Sequence, residues 1–119
     1  MAQRTLYASA ARTATPTAAV VNTARVKGLR LVIDVTASSA TPSVVATIDG
    51  VDAASGKYFN LLTSAAITGA GTTVLSIAPG ITVASNVSAA AILPDAVRIT
   101  LTHGDADSIT YVAAVHLNR

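Results

Sequence analysis

The sequence predicts an all-β fold, an antiparallel β-sandwich of seven or eight strands, with a small barrel as the alternative architecture. Short segments alternate strictly between apolar and polar residues, which is typical of strands with one buried face. Glycine, proline, asparagine and aspartate interrupt these segments, and no long segment shows helical periodicity. The 119 residues are enough for one domain with one core. We therefore expect a single sandwich domain over 28–119, preceded by an N-terminal arm or edge strand over 1–27.

The clearest strand is "GLRLVIDVTA" at 28–37, because apolar residues occupy every second position. Before it, "RTLYASAART" at 4–13 is compatible with an edge strand, and 13–27 is loop-like around Pro16. The inward face predicted for the clearest strand is formed by Leu29, Leu31, Ile33 and Val35.

A β-hairpin is predicted over 43–62, where "SVVATIDGVD" and "KYFNLL" are linked by "AASG". Asp52, Ser55 and Gly56 supply the conformations that a tight loop requires, and Lys57 keeps its tip soluble. The residues expected in the core are Val44, Ala46 and Ile48, with Tyr58 and Leu61 or Leu62 returning to the interior.

The C-terminal part predicts a second hairpin over 95–117, with "HGDAD" as the turn between its strands. Before it, 72–78 is a strand between the breakers "TGAG" and "PG". The segment 81–95 is compatible with a strand, a loop or one short helical turn before Pro94. The inward residues expected in the hairpin are Val97, Ile99 and Leu101, then Ile109, Tyr111, Ala113, Val115 and Leu117.

The composition excludes several classes of function. There is no cysteine, which rules out disulfides, cysteine-based zinc sites and thiol catalysis. The net charge of +2 and the scattered basic residues do not suggest nucleic-acid binding, which needs clustered Lys and Arg. Only 12% of the residues are charged and 51% are hydrophobic, so we expect a surface that a partner covers in a multi-subunit assembly.

No targeting or membrane segment is recognisable. "MAQRTLYASAART" lacks the uninterrupted apolar core of a signal peptide. No apolar run approaches the ~20 residues that span a bilayer. The chain is therefore expected to be made in the cytoplasm, with neither a membrane nor a nucleic acid as its partner.

The pair Gly56-Lys57 resembles the end of a phosphate-binding loop, but its surroundings favour a hairpin. The preceding glycine, Gly50, stands one position too far back, and Tyr58 occupies the position of the Ser or Thr. A strand candidate follows where a helix should start, so the backbone amides would not converge on an anion. No cofactor is expected here.

Metal binding and catalysis find little support among the titratable residues. His103 and His116 are expected far apart on neighbouring strands, which disfavours a shared metal site. Asp105 and Asp107 resemble a fragment of a calcium loop, but the chain has no glutamate to complete one. Ser108, His103 and Asp105 crowd a single loop without a nucleophile elbow, so we do not expect an enzyme.

Three of the four aromatic residues lie in predicted strands with apolar company, so core packing is expected rather than stacking on bases. Glycan binding on a β-sandwich usually uses aromatic platforms, and tryptophan is missing. The four residues are Tyr7, Tyr58, Phe59 and Tyr111.

Several ordered motifs together resemble a small family of tailed-bacteriophage virion proteins. They are "GLRLVIDVT", "TPSV", "DAASGKYFNLL", "PG" and "HGDADSITY", and the similarity runs from about 24 to 117. The resemblance implies a capsid decoration (cement) protein on the exterior of the virion capsid. It implies no catalytic residue, and the partners would be the major capsid protein and further copies of the chain, with a trimer as the favoured homo-oligomer.

Two other functions stay open at this point: a tail or head–tail connector component, and a receptor- or glycan-binding module. For the decoration role, the arm would meet the shell or a neighbouring subunit, and nearby basic residues would meet an acidic capsid surface. The contact residues expected on this basis are Arg4, Leu6, Tyr7, Arg12, Arg25 and Lys27.

Overall fold

The computed structural model describes residues 2–119; Met1, the first residue of the predicted arm, lies outside them. The described chain forms nine strands. They are β1 (Ala2–Arg12), β2 (Ala19–Asn22), β3 (Gly28–Ser38), β4 (Val44–Val51), β5 (Tyr58–Thr63), β6 (Gly71–Ile77), β7 (Ser88–Ala89), β8 (Ala96–His103) and β9 (Ile109–Asn118).

The strands form two sheets that pack face to face. The five-stranded sheet has the order β1-β9-β3-β6-β7, and the four-stranded sheet has the order β2-β8-β4-β5. Every pairing is antiparallel except that of β6 with the two-residue β7. The sheets do not close into a barrel, and residues 2–119 contain no helix. The predicted all-β sandwich is therefore confirmed, with nine strands in the described residues in place of the seven or eight expected.

The core lies between the two sheets and is built by the predicted alternation. The odd-numbered residues of 29–35 are buried, and so are those of 97–101 and 109–117. Burying one Val, Leu or Ile side chain stabilises the fold by roughly 1.5–3 kcal/mol, so this interior supplies most of the driving force. The largest side chains without solvent contact include Leu31, Leu75 and Ile77 from one sheet, and Ile48, Ile99 and Leu101 from the other.

The predicted hairpin over 95–117 is wrong, although both of its strands exist. β8 pairs with β2 and β4, whereas β9 pairs with β1 and β3 in the other sheet. The connection 104–108 thus crosses from one sheet to the other. The two apolar faces meet across the interior, and alternation alone predicts a buried face without specifying which strand lies beside it.

The hairpin of β4 and β5 is confirmed, with Ile48 opposite Leu62 and Val51 opposite Tyr58. In its loop the Asp52 carboxylate accepts hydrogen bonds from the Ala54 amide at 3.1 Å and the Ser55 hydroxyl at 2.7 Å. Gly56 has a φ of +74°, a left-handed conformation that glycine adopts without steric cost.

Residues 2–27 give an edge strand to each sheet rather than a free arm. β1 pairs with β9 along its length, and β2 pairs with β8. The expectation of a loop-like 13–27 missed β2, a strand too short for its alternation to stand out. The ambiguous 81–95 contains β7 and is otherwise irregular, so the short helical turn is wrong.

Replacing a core isoleucine should test this packing against a matched surface position. Ile99 has no exposed surface and Ile92 is 83% exposed. We expect Ile99→Ala to lower the free energy of unfolding by about 2–5 kcal/mol, since it removes buried methyl groups and leaves a cavity. Ile92→Ala should change it by less than about 0.5 kcal/mol. Urea unfolding of both variants measures this; equal effects would contradict the assigned core.

Candidate interaction surface

The six residues expected to make contacts divide into two groups. Arg4, Arg25 and Lys27 are exposed, and Arg4 donates a hydrogen bond from Nη1 to the Val20 carbonyl at 3.3 Å. The others serve the fold: Leu6 packs against the core, and Tyr7, only 9% exposed, donates from its hydroxyl to a carbonyl of the β1–β2 connection at 2.6 Å. Tyr7 is therefore not available to a partner in this conformation.

Arg12, the sixth of these residues, is held between two tyrosine rings. Its guanidinium carbon lies 5.6 Å from the ring centroid of Tyr7 and 5.2 Å from that of Tyr111. Its Nη2 donates to the Ala8 carbonyl at 2.6 Å. Such cation–π contacts contribute about 0.5–2 kcal/mol each. Arg12 thus fastens the end of β1 to the neighbouring strand β9.

A histidine completes this cluster. His103 Nε2 lies 3.1 Å from the Tyr111 hydroxyl. Burial lowers the pKa of His103 below its usual value; the nearby Asp105 carboxylate opposes this shift, and Arg12 adds to it. Burial raises the pKa of Tyr111 to about 12, despite the opposing charge of Arg12. Both pKa shifts favour the uncharged form of the side chain, the neutral imidazole and the neutral phenol.

Asp105 and Asp107, the two residues that resemble a calcium loop, hold the 104–108 connection in place. Asp105 accepts from the Asp107 amide at 3.1 Å, and Asp107 accepts from the Thr41 amide at 3.2 Å. His103 and His116 lie on different sheets. Within residues 2–119 no group of three or more His, Cys, Asp or Glu side chains is placed to hold a metal ion.

Two of the four aromatic residues are not in the core, which corrects the prediction. Tyr58 is 48% exposed and Phe59 is 44% exposed. A bulge in β5 explains why Tyr58 is exposed. Leu62 pairs with Ile48, and the next residue of β4, Asp49, pairs with Asn60, so Leu61 is the inserted residue. The inserted residue reverses the alternation, so Tyr58 faces outward although Leu62 is buried.

Tyr58 belongs to a polar cluster on the outer face of the four-stranded sheet. The guanidinium carbon of Arg98 lies 3.5 Å from the Tyr58 ring centroid. Arg98 also forms an ion pair with Asp49 at 3.2 Å, and Asn60 Nδ2 donates to the same carboxylate at 3.3 Å. One face of the tyrosine ring is thus covered by Arg98, which leaves only its other face for a ligand.

The strongest candidate for an interaction surface is a side of the sandwich without charge. Residues 58–94, nearly a third of the chain, contain no Asp, Glu, Lys, Arg or His. They form β5, β6, β7 and the connections around them. β5 is the edge of one sheet and β7 the edge of the other, and Asn86 Nδ2 bridges them by donating to the Thr63 carbonyl at 2.9 Å. We call this side, residues 58–94, the uncharged flank.

The uncharged flank exposes large aliphatic side chains. Val83 is 65% exposed, Val87 50% and Val74 39%. Val74 and Val87 line one open recess of about 530 Å³, and Val83 lines the recess beside it. Exposed valines on one side of a domain, with no charged residue among them, are typical of a surface that a partner covers.

The sequence itself contains a signal for this surface, and none of its recognisable motifs points to it. The charge-free run from 58 to 94 is visible in the printed sequence, whereas the predicted contacts followed the basic residues of the first 27 positions. Only the sheet order shows that the run forms one side of the sandwich, because β5 and β6 belong to different sheets.

Acidification should destabilise the protein through His103. Its pKa is lower in the folded than in the unfolded chain, where it is about 6.5, so the unfolded chain binds the proton more tightly. Stability is therefore highest above about pH 6.5 and falls as the pH decreases toward the lower folded pKa. The melting temperature of His103→Gln should fall less than that of the wild type between about pH 7.5 and pH 5. If the melting temperatures of the variant and the wild type depended on pH in the same way, His103 would not be the cause of the acid destabilisation.

Comparison of the chain with protein-family models, with curated proteins and with solved structures found no match. None of the described residues forms a helix suited to crossing a membrane. The resemblance to phage virion proteins therefore stays a prediction, and the fold and its surfaces are the basis for inferring a function.

Proposed function

We propose that this chain is a structural, non-enzymatic protein of a tailed-bacteriophage virion, a capsid decoration protein that binds the outer capsid surface and stabilises the shell. The observation that carries the proposal is the uncharged flank, which exposes Val74, Val83 and Val87 on a rigid sandwich. The expected resemblance to virion proteins suggests the kind of partner, and the protein would be made in the host cytoplasm.

The uncharged flank is suited to permanent contact because it can be dehydrated at little electrostatic cost. Removing a charged side chain from water costs several kcal/mol unless it finds a partner, and residues 58–94 have none to dehydrate. Apolar area removed from water contributes about 25 cal/mol per Å². The same contact, repeated at many symmetric positions on a shell, gives a large total stabilisation from modest single interfaces.

The major capsid protein is the proposed partner of the uncharged flank, and the decoration protein is proposed to act as a homo-oligomer. The exposed side chains of Arg4, Arg25 and Lys27 are proposed as additional contacts to an acidic capsid surface. Leu6, Tyr7 and Arg12 support them indirectly, because they fasten β1 to the body of the sandwich.

A tail or connector component would use the same surfaces, so the location of the chain in the particle decides between these structural roles. One observation supports a glycan-binding module: the side chains of Tyr58 and Phe59 are both exposed. These two neighbours, however, point to opposite faces of β5, and Arg98 covers one side of the tyrosine ring. The aromatic pair does not form a shared platform, which favours the structural role.

Particles with and without this protein should differ in stability. Since a ligand that binds only the intact shell shifts its equilibrium, bound copies should raise the temperature at which the particle releases its DNA. Heating both kinds of particle with a DNA-binding dye measures this. Equal release temperatures, or a location in the tail, would contradict the decoration role.

A pair of matched substitutions tests the surface itself. Val87 on the uncharged flank and Val20 on β2 are similarly exposed, at 50% and 54%. We expect Val87→Glu to weaken binding to particles roughly tenfold or more, because the carboxylate would lose its water in the contact. Val20→Glu should weaken binding much less, because Val20 lies outside the uncharged flank and contacts Arg4 only through its backbone carbonyl. Co-sedimentation with particles that lack the protein measures both, and equal binding would exclude the uncharged flank as the contact.

A further inference from the structure

The outer face of the five-stranded sheet is a second surface without a partner, and its residues lie in regular rows. In the central row, the register places Thr5, Ala114, Val32 and Val74 side by side on four strands. The row toward the start of β3 is Gln3, His116, Arg30 and Ser76. The row on the other side contains Val112, Asp34 and Thr72.

We propose that this face binds a second copy of the chain to form a symmetric dimer. The two-fold axis runs along the central row, perpendicular to the strands, and passes β3 at Val32. Rotation about this axis places the row of Arg30 over the row of Asp34 of the other copy. The contact is then isologous, and the central residues Val32, Val74 and Ala114 meet their own equivalents.

The two charges of the face support this arrangement. Arg30 and Asp34 are four residues apart on β3, or about 13 Å, so each lies about 6.6 Å from the axis. Within the described residues each meets only a hydroxyl: Arg30 Nε donates to Ser76 Oγ at 3.3 Å, and Asp34 accepts from Thr72 Oγ1 at 3.3 Å. The two-fold pair gives both charges an opposite partner, forming Arg30–Asp34 ion pairs twice.

The two ends of the sheet differ in charge in the same direction as Arg30 and Asp34 do: one end is basic and the other acidic. Lys27 and Arg119 lie at the end where β3 starts, since the Lys27 amide donates to the Asn118 carbonyl at 2.7 Å. Asp105 and Asp107 lie at the opposite end, in the connection that Ser108 anchors to Ser39 through a 2.9 Å hydrogen bond, and they outnumber the one arginine there, Arg12. Rotation about the axis sets the basic end of one copy over the acidic end of the other.

The side chains are small enough for two sheets to approach closely. Packed sheets lie about 10 Å apart and cross at about 30°, which shifts Arg30 sideways from the opposing Asp34 by only about 3 Å. Val, Ala, Thr and Ser fill most of the facing positions, and arginine is long enough to cover that shift. An axis parallel to the strands would instead set Arg30 against Arg30, so the charges favour the perpendicular axis.

This pairing concerns the free protein and does not depend on the capsid role. It uses the outer face of the five-stranded sheet, which shares Val74 with the uncharged flank, and it leaves Val83 and Val87 for the proposed shell contact. It also favours a two-fold pair as the elementary unit over the trimer expected from the resemblance.

Charge reversal in two separate variants tests the geometry. Arg30→Asp carries two negative charges on the face, and Asp34→Arg carries two positive charges. Each variant alone should dimerise roughly tenfold or more weakly than the wild type, because two attractive contacts become repulsive. Mixed in equal amounts, the two variants should form a heterodimer, in which both ion pairs are restored. Sedimentation equilibrium of the wild type, each variant and the mixture measures this.

Lys57→Asp is the control, since it makes the same charge change on the four-stranded sheet's hairpin loop and should dimerise as the wild type does. A monomeric wild type, variants that still dimerise, or a mixture without heterodimers would each overturn the proposal. Should Arg30→Asp abolish binding to particles while the wild type stays monomeric, the face belongs to the shell and the proposal is also overturned. Failure of the particle-stability experiment alone would leave the pairing intact.

Discussion

The interior between the two sheets constrains every other feature of this protein. Leu31, Leu75 and Ile77 from one sheet meet Ile48 and Ile99 from the other, and all are without solvent contact. Since each strand contributes every second residue to this interior, the remaining residues are fixed on the outer faces. At 104–108 the chain crosses from one sheet to the other, and the apolar faces of β8 and β9 meet across this core. The positions of all surface groups follow from this packing.

The sequence predicted the strands and their buried faces well, because alternation records burial directly. It did not predict the pairing of β8 and β9 with other strands, since pairing depends on contacts between distant segments. β2 and β7 were too short to show a pattern. The exposure of Tyr58 depended on one inserted residue in β5, which reverses a period of two and leaves no mark in the composition.

The surfaces were harder to predict than the core. Basic residues of the first 27 positions suggested contacts, but Arg12 is used internally between Tyr7 and Tyr111. The uncharged flank could be identified only from the order of strands, which places residues 58–94 on one side of the sandwich. Arg30 and Asp34 lie on one outer face of β3, but only the register with the neighbouring strands shows which residues stand in the same rows. In each case the relevant information is the arrangement of strands, not the identity of single residues.

The order of strands also has a consequence for how the chain is made. β9 lies between β1 and β3, so an inner position of the five-stranded sheet stays empty until β9 has left the ribosome. Until then β1 and β3 have unpaired backbone N–H and C=O groups along the edges that β9 will join. Another growing copy could insert its own β9 there and exchange strands. Slow or crowded synthesis therefore favours entangled products, and rapid synthesis of β9 protects against them.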